Sequence, residues 1–180
     1  FAARQGVQAV TLGDHAVESL VRQGVSIAVG DAPHRDLSIT TEVESDLAPA
    51  LVDGPRLAQA LANLVRNAIR FTPDGGKIEV RGGREGDDLV LSVCDSGIGI
   101  PEAKMEEVLR RSFSVRDSLN HHSSGTLEFN SAGLGLGLTL ARGIVEAHGG
   151  AIGAVSRPEK GSTFSIRVPY RGPSALPKAA

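Results

Sequence analysis

Asn63, Arg66, Asn67 and Arg70 recur at i, i+3, i+4 and i+7, so a helix through them would carry one polar stripe. An Asn side-chain oxygen can ligate Mg2+, which takes oxygen ligands and keeps water and substrate phosphates around it. Arg offers a fork of donors to phosphate oxygens. The stripe thus has the make-up of an anion site with a metal; the plainer alternative is the solvated face that any amphipathic helix shows. Asp95 is followed at once by Gly97 and Gly99, where a backbone can approach a flat ligand closely. Its carboxylate can accept from an exocyclic amine such as that of adenine. Asp-Ser-Gly is also ordinary turn chemistry, but Ile98 and Ile100 are large aliphatics for a turn tip and could face an apolar base pocket. Gly133, Gly135 and Gly137 then lead into Leu138-Thr139-Leu140-Ala141-Arg142, so loop and helix N-terminal amides could converge on phosphate, with the glycines serving equally as a hinge.

These residues need elements to hold them. The best helix runs from Arg56 to Phe71, with Leu57, Leu61, Leu64, Val65, Ala68 and Ile69 on one stripe; Asp53-Gly54-Pro55 starts it and Thr72-Pro73-Asp74-Gly75-Gly76 stops it. Leu12 to Val29 has near-helical apolar spacing, Leu37 to Val43 alternates like a half-buried strand, and Ala48 to Val52 is a further short strand. Lys77–Arg84 and Leu89–Cys94 read as a hairpin around Glu85-Gly86-Asp87-Asp88, and Ala151–Val155 with Ser162–Val168 as a second. Glu102 to Leu109 is a short helix, and Leu136 to His148 is another, closed by Gly149-Gly150. Residues 110–132 are polar, weakly patterned and too long for an ordinary connection. The expected fold is an α/β two-layer sandwich, a mixed and largely antiparallel sheet with helices on one face. Residues 1–35 form an N-terminal segment, 36–170 the main domain, and 171–180 a tail without packing signal.

Several classes are excluded. A net charge of -2 gives no general field for nucleic acid or an anionic membrane. The single Cys94 allows no internal disulfide and reads as a small apolar residue at a strand end, fitting a reducing compartment and a cytoplasmic location. No Gly-x4-Gly-Lys-Ser/Thr occurs, and the glycines at 133–137 follow a polar loop rather than a strand, against P-loop and dinucleotide-binding readings. The opening on Phe1 suggests a piece of a longer chain, whose parent can still be membrane-bound.

Asn63-Leu-Val-Arg-Asn67-Ala-Ile-Arg70-Phe71-Thr72-Pro73, Asp95-Ser-Gly-Ile-Gly99, Gly133-Leu134-Gly135-Leu-Gly137-Leu138 and Gly161-Ser-Thr163-Phe164 occur in that order. The set resembles the N box and successive glycine boxes of sensor histidine kinases. These belong to the Bergerat-fold ATP-binding superfamily, shared with type II topoisomerases, mismatch-repair ATPases and heat-shock chaperone ATPases. The resemblance runs from about Asp53 to Pro169.

What the resemblance implies is specific. ATP and Mg2+ are the expected ligands, with Asn67 as the metal ligand, Asn63 as the first Asn of the box and Arg70 as the basic residue at phosphate. Asp95 would read adenine, beside Gly97, Gly99 and Ile100 and with Thr163 near the base. Gly133, Leu134, Gly135, Gly137 and Leu138 would form the phosphate side, and 110–132 the ATP lid. Phe113 stands where the lid's aromatic would be, in surroundings that depart from the usual pair, as does Arg116. Members that hydrolyse ATP carry a Glu general base four residues before the metal Asn; Asn63 stands there and cannot take that proton, which favours transfer over hydrolysis. The expected acceptor is a His on a dimerisation domain outside this segment, because His15 lacks the acidic neighbour of the family's phosphoacceptor motif. A response regulator receiver domain is the next partner, with neither nucleic acid nor direct membrane contact. A serine kinase of anti-sigma type and a non-catalytic nucleotide-sensing module are the rival readings.

Overall fold

The computed structural model describes residues 10–31, 35–111 and 135–172. Along the chain these form β1 (Gly13–His15), α1 (Val17–Gly30), β2 (Ser38–Val43), β3 (Ala50–Val52) and α2 (Gly54–Phe71). There follow β4 (Lys77–Glu85), β5 (Asp88–Asp95), α3 (Glu102–Arg111), α4 (Gly135–Ala147), β6 (Ala151–Ser156) and β7 (Ser162–Pro169). A five-stranded sheet has the order β2-β4-β5-β7-β6; β2 and β4 are parallel and the other pairs antiparallel. The sheet is therefore mixed and largely antiparallel, as expected. The parallel pair is possible because α2 lies in the connection between β2 and β4, which a hairpin could not provide.

The core lies between this sheet and the helices. Strand alternation turns Ile78, Val80, Leu91, Val93, Phe164 and Ile166 inward, where they meet Leu57, Leu61, Leu64 and Val65 of α2 and Leu138, Ala141 and Val145 of α4. Aliphatic side chains dominate it, as the scarcity of aromatics requires. On the opposite sheet face Cys94 is exposed, opposite Glu79 on one neighbouring strand and Thr163 on the other. The reading of Cys94 as a small apolar filler is thus corrected: its odd register on β5 sends it to the open face.

The N-terminal segment also differs. Gly13, Asp14 and His15 pair with Val52, Leu51 and Ala50, so a strand precedes the helix, which starts only at Val17. Ala16 is extended at the helix start, and Leu12, counted in the apolar stripe by spacing, is 36% exposed. Ladder hydrogen bonds to β3 outweigh a stripe whose first member has nothing to pack on.

One junction fixes α2 relative to α4. Asp53 caps α2 by accepting from Arg56 N–H, and also accepts from Thr11 N–H at 2.9 Å. The Asp53 N–H donates to His148 Nε2 at 3.0 Å, while His148 Nδ1 lies 2.7 Å from the Ile144 carbonyl at the end of α4. That pair of contacts requires the neutral Nδ1–H tautomer, and His148 closes α4 while holding the start of α2. Among the described residues no helix is long and apolar enough to cross a membrane.

Candidate functional site

The far end of α2 carries the polar stripe. Asn63 and Asn67 are both 7% exposed, and the Nδ2 of each is buried without a hydrogen-bond partner. A buried donor left unpaired costs about 1–3 kcal/mol, so two on one helix face mark a place built to meet something else. Arg70, one turn further on, is exposed, its guanidinium 5.6 Å from the centroid of the Phe71 ring.

Asp95 faces these residues from the end of β5. Its Oδ1 accepts from Gly97 N–H at 2.8 Å and Ser162 N–H at 3.2 Å. Burial pushes the Asp95 carboxyl above its ordinary value, and the two amides partly offset this. Both bonds use one oxygen, leaving Oδ2 for a ligand.

The loop after Asp95 is held on two sides. Ile98 N–H donates to the Phe71 carbonyl at the end of α2, and the Ile98 carbonyl accepts from Glu159 N–H. Ile100 N–H donates to Ser156 Oγ at 2.8 Å; that hydroxyl also lies 2.8 Å from the Gly161 carbonyl and 2.8 Å from Ser162 Oγ. Two glycines permit this. Gly99 has φ +68, and a Cβ there would lie 2.0 Å from the Arg157 carbonyl oxygen; at Gly161, φ +80, it would lie 1.8 Å from that of Asp95. Gly161→Ala is therefore expected to destabilise the fold by about 3 kcal/mol or more, read by urea denaturation. A loss below about 1 kcal/mol would show that the strands separate freely here.

The resulting cleft is lined by Asn67, Ala68, Phe71, Asp95, Gly99, Ile100, Ser162 and Phe164. It joins the sequence-selected Asn67, Asp95, Gly99 and Ile100. A Cβ on Gly137 would lie 3.8 Å from that of Asn63, so the first turn of α4 sits over Asn63 and brings its partial positive charge there. An aromatic-lined slot with one free carboxylate oxygen suits an aminopurine. The adjoining carboxamides, Arg70 and helix N-terminus suit phosphate and a hard cation, so the donor set fits ATP with Mg2+.

Not every expectation is met. Thr163 pairs with the exposed Cys94, whereas Ser162 pairs with the buried Asp95; Ser162 therefore lines the cleft and Thr163 lies on the other sheet face. The alternation of inward Phe164 and Ile166 carries that signal in the sequence. Ile98 is 48% exposed and only Ile100 turns inward. Leu138 is buried in the core, so only its main chain is available to a ligand. Gly135 and Gly137 lie in the first turn of α4 rather than in a loop before it. Gly133, Leu134 and residues 112–132 of the expected lid, Phe113 and Arg116 among them, lie outside the described residues. Ala68, Phe71, Ser162 and Phe164 as cleft lining, and Ser156 behind it, were not selected as site residues, because apolar and Ser positions carry no chemical signature until strand order brings them together.

Comparisons with known proteins give the family. Residues 52–172 match the family described as histidine kinase-, DNA gyrase B-, and HSP90-like ATPase. The adaptive-response sensory kinase SasA of Prochlorococcus marinus (strain MIT 9313) is 40% identical over 136 residues, 75% of this chain and 34% of SasA. The sensor protein DivL of Caulobacter vibrioides is 34% identical over 164 residues, 91% of this chain and 20% of DivL. The chain therefore spans about a third or less of these relatives. Among solved structures, the catalytic domain of histidine kinase ThkA superposes with TM-score 0.68 at 25% identity, covering 89% of this chain and 97% of that one. Full-length ShkA in complex with AMPPNP superposes with TM-score 0.75 at 25% identity, over 97% of this chain and 34% of that one. The chain thus belongs to the family of histidine kinase-, DNA gyrase B-, and HSP90-like ATPases, as an ATP-binding catalytic domain of the histidine-kinase type.

Proposed function

We propose that this domain, residues 36–170, holds Mg2+-ATP and donates its γ-phosphoryl group to a histidine of a dimerisation domain, from which a response regulator takes it. The observation that carries the choice of transfer over hydrolysis is Asn63. It is buried, it stands four residues before Asn67, and its only acceptor atom is occupied by Arg66 Nη1 at 2.8 Å. No base is therefore available at that position to take a proton from water. ThkA, one of the structural relatives, has also been solved with a response regulator, TrrA, which supports the onward partner. The same reading places the domain in the cytoplasm, where such a regulator is found.

In this reading Asp95 Oδ2 accepts from the adenine amine, and Phe71, Ile100 and Phe164 exclude water from the ring. Asn67 Oδ1 is the metal ligand, and Arg70 and the α4 amides neutralise phosphate charge. Bound Mg2+-ATP supplies the phosphoryl group and the charge neutralisation around it. The acceptor imidazole nitrogen forms the new N–P bond as the β,γ-bridging P–O bond breaks; ADP leaves and the imidazole proton passes to water.

The test is to incubate this chain with the parent kinase's dimerisation domain and γ-labelled ATP with Mg2+. Acid-labile, base-stable label on the dimerisation domain is expected. Release of inorganic phosphate without labelling would turn the assignment toward an ATPase. Label on serine of an anti-sigma partner would mark a serine kinase, and nucleotide binding without transfer a sensing module.

A further inference from the structure

Three side chains form one polar row across the inner face of the sheet. Ser162 on β7 is the register partner of Asp95 on β5 and of Ser156 on β6, and cross-strand partners share a face. The next rows on that face are Val93, Phe164 and Ala154, then Leu91, Ile166 and Ile152, so the polar row borders an apolar layer. Strand β7 is paired on both sides, which keeps its main chain in the plane of the sheet. What Ser162 turns to the cleft it lines is therefore its side chain.

The partners of Ser156 decide where the hydrogens of this row lie. Ile100 N–H can only donate to Ser156 Oγ, at 2.8 Å, and the Gly161 carbonyl, also 2.8 Å away, can only accept. The single Ser156 hydroxyl hydrogen is spent on Gly161. The remaining 2.8 Å contact, between Ser156 Oγ and Ser162 Oγ, needs a hydrogen between the two oxygens, and Ser162 supplies it. Ser162 Oγ then has only lone pairs left for a ligand. Beside it, Asp95 Oδ1 is taken by the Gly97 and Ser162 N–H groups, which leaves Oδ2 as a second acceptor.

We propose that Ser156, behind the cleft lining, is a positioning residue that fixes the Ser162 hydroxyl as an acceptor, so that Ser162 and Asp95 together admit a 6-amino purine nucleotide and reject a 6-oxo one. This rests on the ATP reading of the cleft. A 6-amino group brings two N–H donors to this wall, whereas a 6-oxo group sets lone pairs against lone pairs. Ser162 can turn its hydrogen to a 6-oxo group only by leaving two oxygens in contact with none between them.

Calorimetric titration with ATP and with inosine triphosphate (ITP) tests this. The unsubstituted chain is expected to prefer ATP by at least about 100-fold. Ser156→Ala frees the Ser162 hydrogen to donate to the 6-oxo group, so the preference should shrink about 10-fold through tighter ITP binding. A Ser156 that merely held the Ile100 loop would, when removed, weaken both nucleotides alike and leave their ratio unchanged. Ser156→Thr keeps the hydroxyl and should keep the ratio within about 3-fold of the unsubstituted chain. Adding Ser162→Ala to Ser156→Ala should return ITP affinity to that of Ser162→Ala alone. That single variant, which keeps Ser156, should lose about 5-fold in ATP affinity and nothing in ITP affinity.

An unchanged ATP-to-ITP ratio in Ser156→Ala would overturn the proposal. So would an ITP gain that survives the added Ser162→Ala, or a Ser162→Ala variant that loses ITP affinity as much as ATP affinity or more. Failure of the unsubstituted chain to bind ATP would overturn the functional reading itself, whereas ATP binding without preference over ITP overturns this inference alone.

Discussion

Replacing Asp95 with Asn is expected to lower ATP affinity by about 100-fold, roughly 3 kcal/mol, without lowering the stability of the nucleotide-free fold. The carbonyl oxygen of Asn can still accept from Gly97 and Ser162 N–H, so the loop keeps its anchor. What changes is the second oxygen, which becomes an NH2 group facing the adenine amine: two donors meet where a donor met a charged acceptor. The charge was costly to the empty fold, because burial raises the Asp95 pKa above the ordinary carboxylate value. With the folded value above the unfolded one, the native state binds more protons between the two, so stability falls as pH rises through that window. The penalty is complete above the folded value. The ionised wild type carries it and Asp95→Asn does not. Denaturation from pH 4 to 8 should therefore show the variant's advantage growing with pH, while wild-type ATP affinity weakens as pH falls and the carboxylate protonates. Calorimetric titration with ATP and GTP is the direct measurement; a variant within about 3-fold of wild type for ATP would remove Asp95 from base recognition.

Asn67→Ala is expected to abolish the Mg2+ dependence of nucleotide binding and to slow phosphoryl transfer by at least about 100-fold, while the empty domain becomes more stable. The stability gain follows from two local facts. Asn67 Nδ2 is buried without a partner, and Ala is the better helix former in the interior of α2. Together these give an increase of about 1 kcal/mol. A residue whose removal stabilises the fold and ruins the activity is one retained for its chemistry. Thermal melts of the empty domain, paired with ATP titrations at zero and saturating Mg2+, measure both effects. Unchanged Mg2+ dependence in Asn67→Ala would remove the metal assignment.

The alternating and helical patterns made most elements legible, because each buries one face and reports its period directly. Helix α2 starts at Asp53-Gly54-Pro55 and ends before Pro73, where side-chain chemistry allows little else. Lys77–Glu85 and Asp88–Asp95 form the expected hairpin about a Gly86 with φ +61. The misjudged places are those where a distant partner outweighs local preference. β1 exists because β3 offers it a ladder, and Gly135 and Gly137 are helical in α4, which packs on α2.

The site divides in the same way. By itself the sequence determined the types of group present: two carboxamides at i and i+4 and a carboxylate before a glycine-rich turn. Those follow from identity and spacing within one element. Only the tertiary structure decided which atoms face the ligand. Strand register put Ser162 rather than Thr163 beside Asp95, because a shift of one residue exchanges the faces of a sheet. Asp31, 35 residues from Arg66, completes the pair of hydrogen bonds in which the Arg66 guanidinium holds the Asn63 oxygen. A side chain's rotamer answers to whatever the fold packs beside it, and that neighbour can come from anywhere along the chain.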